Sequence, residues 1–170
     1  MNYYPLEKVL RIQRLAALLL ILIFVGGCAS YGPTDRFLGL HRDEVINVLG
    51  LPTSERAVGS KLILEYAKGP YGRHTFFITF DSSGRVERWE QVLSIDNFKK
   101  IFPGMTKDQV RSLIGQSFET IQLARNWGEV WSYRYETTFC VWFQIEFSAD
   151  GIVRSAGDGI PPECSLDSPP

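Results

Sequence analysis

The apolar and polar positions of the chain form one pattern that occurs twice. Residues 39–50 and 104–115 align at an offset of 65, with a glycine at both ends of each segment. Further along, the pattern F-x-I-x-F-x-x-x-G-x-V occupies residues 76–86 and again residues 143–153, at an offset of 67. A tandem duplication, with a change of two residues in loop length, accounts for both offsets.

Each copy is predicted to contain one main helix. In the second copy, Thr106 and Gln109 form a capping box, and apolar residues recur at helical spacing from Val110 until Gly115 ends the helix. The first copy has a weaker cap at His41 but an equally clear stop, a Gly-Leu-Pro sequence. A shorter helix is expected ahead of each main helix.

Three strands are predicted to follow the helices of each copy, because apolar residues alternate with polar ones. Their inward-facing residues are expected to be Leu62, Leu64 and Tyr66, then Phe76, Ile78 and Phe80 in the first copy; and Trp131, Tyr133 and Tyr135, then Phe139, Val141, Phe143, Ile145 and Phe147 in the second. Glycine-containing turns at residues 81–84 and 148–151 join the last two strands. The predicted fold class is α+β: two tandem repeats, each with two short helices packed on a three-stranded antiparallel meander. Whether the two meanders form one sheet is left open.

The N-terminus has the pattern of a secretory signal. Three basic residues precede an uninterrupted apolar run at residues 15–25, and two glycines then precede Cys28. A membrane-spanning helix needs about 20 apolar residues, which this run does not reach. Val-Gly-Gly-Cys resembles the lipobox of bacterial lipoproteins, which implies cleavage before Cys28 and lipidation of its thiol. Ala29 in the next position implies sorting to the outer membrane, with the protein on its periplasmic face.

These features divide the chain into five segments: a signal peptide at 1–27, a tether at 28–36, a first repeat at 37–93, a second repeat at 94–157 and a C-terminal tail at 158–170. Removing residues 1–27 leaves 15 Lys+Arg against 18 Asp+Glu, a net charge of −3. This balance gives no basic footprint for nucleic acid, so we expect no nucleic-acid partner.

Two cysteines remain in the mature chain. In an oxidising compartment the pair Cys140 and Cys164 predicts a disulfide that ties the tail to a strand. A catalytic thiol and a metal site are weaker alternatives, since neither cysteine has histidine or acidic companions at a suitable spacing.

The run FPGMTKDQVR at residues 102–111, with Gly115, the W-x-Y at 131–133, Phe147 and Gly151, resembles the BamE (SmpA/OmlA) family of outer-membrane assembly lipoproteins. The first repeat carries a weaker copy of this pattern. The resemblance implies an accessory or scaffold subunit in the assembly of outer-membrane β-barrel proteins, or in envelope maintenance. It implies contacts with other envelope proteins such as barrel-assembly subunits and, for some members, anionic phospholipid. The tandem also resembles β-lactamase inhibitor proteins, so the alternative is a periplasmic enzyme inhibitor or protein-binding module.

The sequence contains no recognised catalytic motif, and His41 and His74 are expected to be ordinary surface residues. We therefore expect no enzymatic activity, no metal and no cofactor. The candidate partner-binding residues are the outer-face aromatics Phe77, Trp89 and Trp142 and the loop aromatics Tyr71 and Trp127. The alternative is that these rings pack against the other repeat or the tail. A structural lipoprotein with peptidoglycan contacts has no specific residue in its favour.

Overall fold

The computed structural model describes residues 32–164, together with Arg11. The rest of the predicted signal peptide, the lipidation site Cys28 and residues 165–170 lie outside the described residues. Within residues 32–164 the α-helices are α1 (Arg42–Leu49), α2 (Ile95–Phe98) and α3 (Lys107–Ile114). The strands in the same range are β1 (Ser54–Val58), β2 (Lys61–Lys68), β3 (His74–Phe80), β4 (Val86–Gln91), β5 (Glu119–Gln122), β6 (Gly128–Tyr133), β7 (Trp142–Ser148) and β8 (Val153–Gly159). Among these residues no helix has the length and apolar character needed to cross a membrane.

The strands form two separate antiparallel sheets, β1-β2-β3-β4 and β5-β6-β7-β8. The α+β class and the tandem arrangement are confirmed, but the prediction of three strands in each repeat was wrong because each sheet has four. The missed strands β1 and β5 are edge strands with the sequences SERAV and ETIQ, and most of their residues are exposed or half-buried. They lack the apolar alternation that a buried face imposes, so the pattern gave no signal for them.

Each sheet has its own core, covered by its main helix. The first core contains Phe37, Val45, Leu64, Tyr66, Phe76, Ile78, Phe80 and Val86. The second contains Leu93, Phe98, Ile101, Met105, Val110, Ile114, Trp131, Tyr133, Tyr135, Phe143, Ile145, Phe147 and Val153. Burial of these large apolar side chains is the main force that holds each helix on its sheet.

The two repeats match in detail at the ends of their main helices. The hydroxyl of Tyr66 donates to the carbonyl of Gly50 at 3.1 Å, and the hydroxyl of Tyr133 donates to the carbonyl of Gly115 at 3.1 Å. Both glycines have a positive φ, 82° and 81°. The predicted capping box is also formed, since the Thr106 side chain accepts from Gln109 N at 3.2 Å and Gln109 Oε1 accepts from Thr106 N at 2.8 Å. The duplication therefore extends to individual hydrogen bonds.

Two predicted positions need correction. A β-bulge where β4 pairs with β3 sets Trp89 opposite Ile78, so Trp89 packs against the first core rather than on the outer face. Phe139, Cys140 and Val141 precede β7 instead of lying in it, and Phe139 is 76% exposed. The apolar run around Phe139 looks like a strand in sequence, but it belongs to a loop that the disulfide holds.

The C-terminal end of α3 packs against the outer face of the first sheet. Arg56 Nη2 donates to the carbonyl of Ser112 at 3.2 Å, and the backbone N–H of Gln116 donates to Glu65 Oε1 at 2.9 Å. Glu65 is only 3% exposed. The outer face of the first sheet is therefore an interface between the repeats. The predicted disulfide Cys140–Cys164 is present and joins the tail at residue 164 to the loop ahead of β7.

Candidate partner-binding site

An arginine between two aromatic rings lies where the two repeats meet. Arg134 directly follows β6, and its guanidinium carbon is 3.9 Å from the ring centre of Tyr71 and 4.3 Å from that of Trp142. Tyr71 belongs to the loop between β2 and β3 of the first repeat, and Trp142 begins β7 of the second. We call these three residues the aromatic–arginine cluster. A cation over an aromatic face contributes about 0.5–2 kcal/mol, depending on its solvation.

Two carboxylates hold the guanidinium in place. Arg134 Nε and Nη2 donate to the two oxygens of Glu119 at 2.9 and 3.1 Å, which is a bidentate pair. Arg134 Nη1 lies 3.1 Å from Glu163 Oε1 in the tail. The hydrogen bond with Glu119 is the main cause that raises the pKa of Arg134 further above its ordinary value. Arg134 is therefore a fixed positive centre rather than a mobile surface side chain.

The backbone of Tyr71 adopts a strained conformation. Its φ is 56°, in the left-handed region that a bulky residue rarely adopts. The residue follows Gly69 and Pro70 in a tight turn. Such a conformation costs on the order of 1–3 kcal/mol and persists only where surrounding contacts enforce it. The residue is still 54% exposed. The protein thus keeps a strained, exposed tyrosine over Arg134.

A shallow cavity of about 190 Å³ opens beside the cluster. Its walls include Arg73, Arg134, Phe139, Trp142 and Glu163, and the disulfide-bonded Cys140 forms part of its lining. The tail reaches this cavity because the disulfide joins Cys164 to the loop ahead of β7. The site therefore combines exposed aromatic surface with fixed charges of both signs.

The predicted site residues are not all brought together. Tyr71 and Trp142 meet at the cluster, whereas Trp127 precedes β6 and so lies at the opposite end of that strand from Arg134, 60% exposed. Phe77 is 4% exposed beneath the guanidinium of Arg56, which lies 4.2 Å from its ring centre. Trp89 lies against the first core, 6.2 Å from the ring of Phe76.

Sequence reasoning did not single out the charged members of the site, Arg134, Glu119 and Glu163. Their partners lie in other elements, so the contact of Arg134 with Tyr71 joins residues far apart in the chain. Glu119 lies in the unpredicted strand β5. The available signal was the alternation Trp131, Tyr133, Tyr135, which places Arg134 on the opposite face from the core.

No family model matches this chain, and no curated protein matches it in sequence.

Proposed function

We propose that this protein is an outer-membrane lipoprotein, anchored through Cys28, that acts without catalysis as a partner-binding accessory or scaffold subunit on the periplasmic face. Its partners belong to outer-membrane protein assembly or envelope maintenance, in line with its resemblance to the BamE (SmpA/OmlA) family. In this proposal the aromatic–arginine cluster is the contact surface.

The observation that carries the proposal is the placement of Arg134 between the rings of Tyr71 and Trp142. Tyrosine, tryptophan and arginine are the residues most enriched in the energetic centres of protein interfaces. Here the three side chains are already ordered, so little of their own conformational entropy is lost when a partner binds. The strained backbone of Tyr71 further supports a role for its exposed ring.

The disulfide supports an extracytoplasmic setting. Bonds such as Cys140–Cys164 form and persist in the bacterial periplasm and are rare in the cytosol. The signal-like N-terminus and the lipobox-like sequence before Cys28 point to the same compartment. Substituting Cys28→Ser tests the anchor: the proposal expects an unprocessed precursor that leaves the outer-membrane fraction, and normal processing of this variant would contradict it.

One observation also favours the inhibitor-type alternative. An inhibitor of that kind needs an exposed aromatic surface spanning both repeats, and the cluster joins Tyr71 of the first repeat to Trp142 of the second. In that case the partner is a single soluble periplasmic enzyme rather than a set of envelope proteins. The identity of the captured partner separates the two functions.

The test is a pull-down of the tagged lipoprotein from its native envelope in mild detergent, with co-purifying proteins identified and quantified by mass spectrometry. We expect envelope proteins to be recovered with the wild-type chain and to be reduced at least tenfold with Trp142→Ala or Tyr71→Ala. Trp127→Ala is the control, because Trp127 is as exposed as Tyr71, at 60% against 54%, but remote from Arg134 along β6. Equal recovery with all variants, or no partner with the wild type, would refute the proposed function.

A further inference from the structure

The two repeats differ at the strand that closes each sheet. Both β4 and β8 lie at a sheet edge and, within the described residues, pair with a neighbouring strand on one side only. At the start of β8, Val153 is bonded to residues 104 and 105, and the five residues that follow it are all exposed. An exposed edge of this kind presents unpaired N–H and C=O groups to a further strand.

The edge of the first repeat is protected against such pairing. Charged side chains line β4: Glu87 pairs with Lys61 at 2.6 Å, and Arg88 pairs with Glu90 at 3.2 Å. Charged residues are a common means of discouraging edge-to-edge association. At the equivalent positions β8 carries Arg154, Ser155 and Gly157. Only the first of these is charged.

The position of Trp89 shows what is missing from the second repeat. The offset of 67 makes Ala156 the counterpart of Trp89, and both residues follow a β-bulge at the same place in their sheets. Trp89 stands opposite Ile78 and packs on Phe76, while Ala156 stands opposite Ile145. At this strand position the first repeat has an indole and the second only a methyl group, while Phe98 stacks on Phe143 at 4.1 Å in the second repeat.

A cavity of about 280 Å³ lies at this point of the second repeat. Its walls include the core residues Phe98, Ile101 and Phe143 together with Ala156, and the charged residues Lys99 and Asp158 also line it. On the other face of β8 a second cavity of about 300 Å³ is lined by polar residues that include Gln144 and Glu146. The edge is thus flanked by a mainly apolar cavity on one face and a mainly polar cavity on the other.

We propose that β8 is the docking edge for one extended strand of another protein, and that this strand places a bulky apolar side chain in the cavity at Ala156. The partner's backbone pairs with residues 155–158. Its successive side chains then enter the apolar and the polar cavity in turn, because side chains alternate across a strand. Trp89 provides the template for the apolar group. This inference rests on the proposed partner-binding function and assigns a class of partner, an extended chain, to a second surface.

The probe is a set of capped heptapeptides, threonine–valine–threonine–X–threonine–valine–lysine, with fluorescein on the lysine and tryptophan, phenylalanine, leucine or alanine at X. Binding to the detergent-solubilised full chain is measured by fluorescence anisotropy. We expect the tryptophan peptide to bind roughly tenfold or more tightly than the alanine peptide, because an indole buries far more apolar surface than a methyl group. We also expect hydrogen exchange to slow at residues 154–159.

Two comparisons make the test specific to the edge. Ala156→Trp fills the cavity from within, as Trp89 does, and should abolish binding, whereas Arg88→Trp on β4 should leave it unchanged. A peptide N-methylated at alternate residues should not bind the unaltered protein, which keeps the test independent of whether the variants fold.

Absence of binding by every peptide, or binding that Ala156→Trp does not weaken, overturns the proposal. The proposal is also overturned if the wild-type chain self-associates and Ala156→Trp abolishes that association, because the occupant of the edge is then a second copy of this chain. None of these outcomes depends on the envelope pull-down, so each proposal can fail alone.

Discussion

The carboxylate of Glu65 accepts the backbone N–H of Gln116 at 2.9 Å, a hydrogen bond that joins the first sheet to the end of the second repeat's main helix. Its other oxygen accepts the hydroxyl of Ser54 at 2.8 Å. Glu65 is 3% exposed, so these bonds replace the water that a carboxylate otherwise binds. The interface between the repeats therefore contains a buried polar contact as well as apolar packing.

We expect Glu65→Ala to destabilise the protein by about 2 kcal/mol, because it leaves the N–H of Gln116 and the hydroxyl of Ser54 without their acceptor. The measurement is the free energy of unfolding from urea denaturation. Glu87→Ala is the control: Glu87 forms a surface pair with Lys61, and such pairs contribute about 0–1 kcal/mol. An equal loss in the two variants would mean that the buried contact has no special role.

The disulfide Cys140–Cys164 is expected to contribute about 3 kcal/mol, since it closes a loop with a sequence separation of 24. Reduction with dithiothreitol should lower the urea midpoint of the wild-type protein by a corresponding amount. The double variant Cys140→Ser/Cys164→Ser should start at the lower midpoint and show no response to the reductant. A reductant effect on the double variant would assign the change to some other cause.

The charge of Glu129 is expected to make the stability of the second repeat depend on pH. Lys107 Nζ lies 2.6 Å from its carboxylate, and Gln122 and Trp131 donate hydrogen bonds to it. These contacts lower the pKa of Glu129 below its ordinary value, and the hydrogen bond with Lys107 has the largest effect. A carboxyl whose pKa is lower in the folded protein stabilises the fold above the unfolded-state pKa, and this contribution is lost as pH falls through the folded-state pKa.

Glu129→Gln should therefore reduce stability at neutral pH and make the remaining stability less sensitive to acid. Urea denaturation at neutral pH and at a pH below the ordinary glutamate range measures both effects. Glu146→Gln is the control, because Glu146 pairs with Arg154 at 3.4 Å on the exposed face and should contribute little. Parallel pH profiles for the wild type and Glu129→Gln would show that Glu129 has no part in the acid response.

The sequence predicts this fold wherever one face of an element is buried. Apolar residues recur at regular spacing in the main helices and in the middle strands, and the helices also have recognisable caps. Because the pattern occurs in both repeats, each copy supports the prediction made for the other. The sequence does not predict β1 or β5, in which no residue is fully buried and the half-buried positions are polar, such as Ser54, Arg56 and Glu119. Nor does it predict the face of Trp89, because one additional residue in a bulge reverses the alternation beyond it.

The candidate site was predicted only in part, for a related reason. Aromatic residues at predicted loop or outer-face positions, such as Tyr71 and Trp142, stand out in a sequence because large apolar side chains are mostly buried. Arg134 does not stand out, since an arginine beside a strand is ordinary until the fold brings rings from two repeats to its sides. Contacts between residues distant in the chain depend on how the repeats pack. The spacing of apolar residues within one helix or strand does not indicate that packing.

Gly50 and Gly115 offer a matched pair that isolates the interface between the repeats. Both end a main helix with φ near 80° and ψ of −169°, a conformation essentially confined to glycine, so alanine at either position carries a backbone strain on the order of 1–3 kcal/mol. A Cβ at Gly50 meets no atom within 4 Å, whereas a Cβ at Gly115 would lie 2.7 Å from Glu65 Oε1 and 3.0 Å from Thr75 Cγ2. Both of those atoms belong to buried residues of the first sheet. We therefore expect Gly115→Ala to destabilise the protein more than Gly50→Ala in urea denaturation. Equal losses would mean that the sheet and α3 separate at little cost, and that the two repeats are coupled more weakly than the Glu65–Gln116 bond implies.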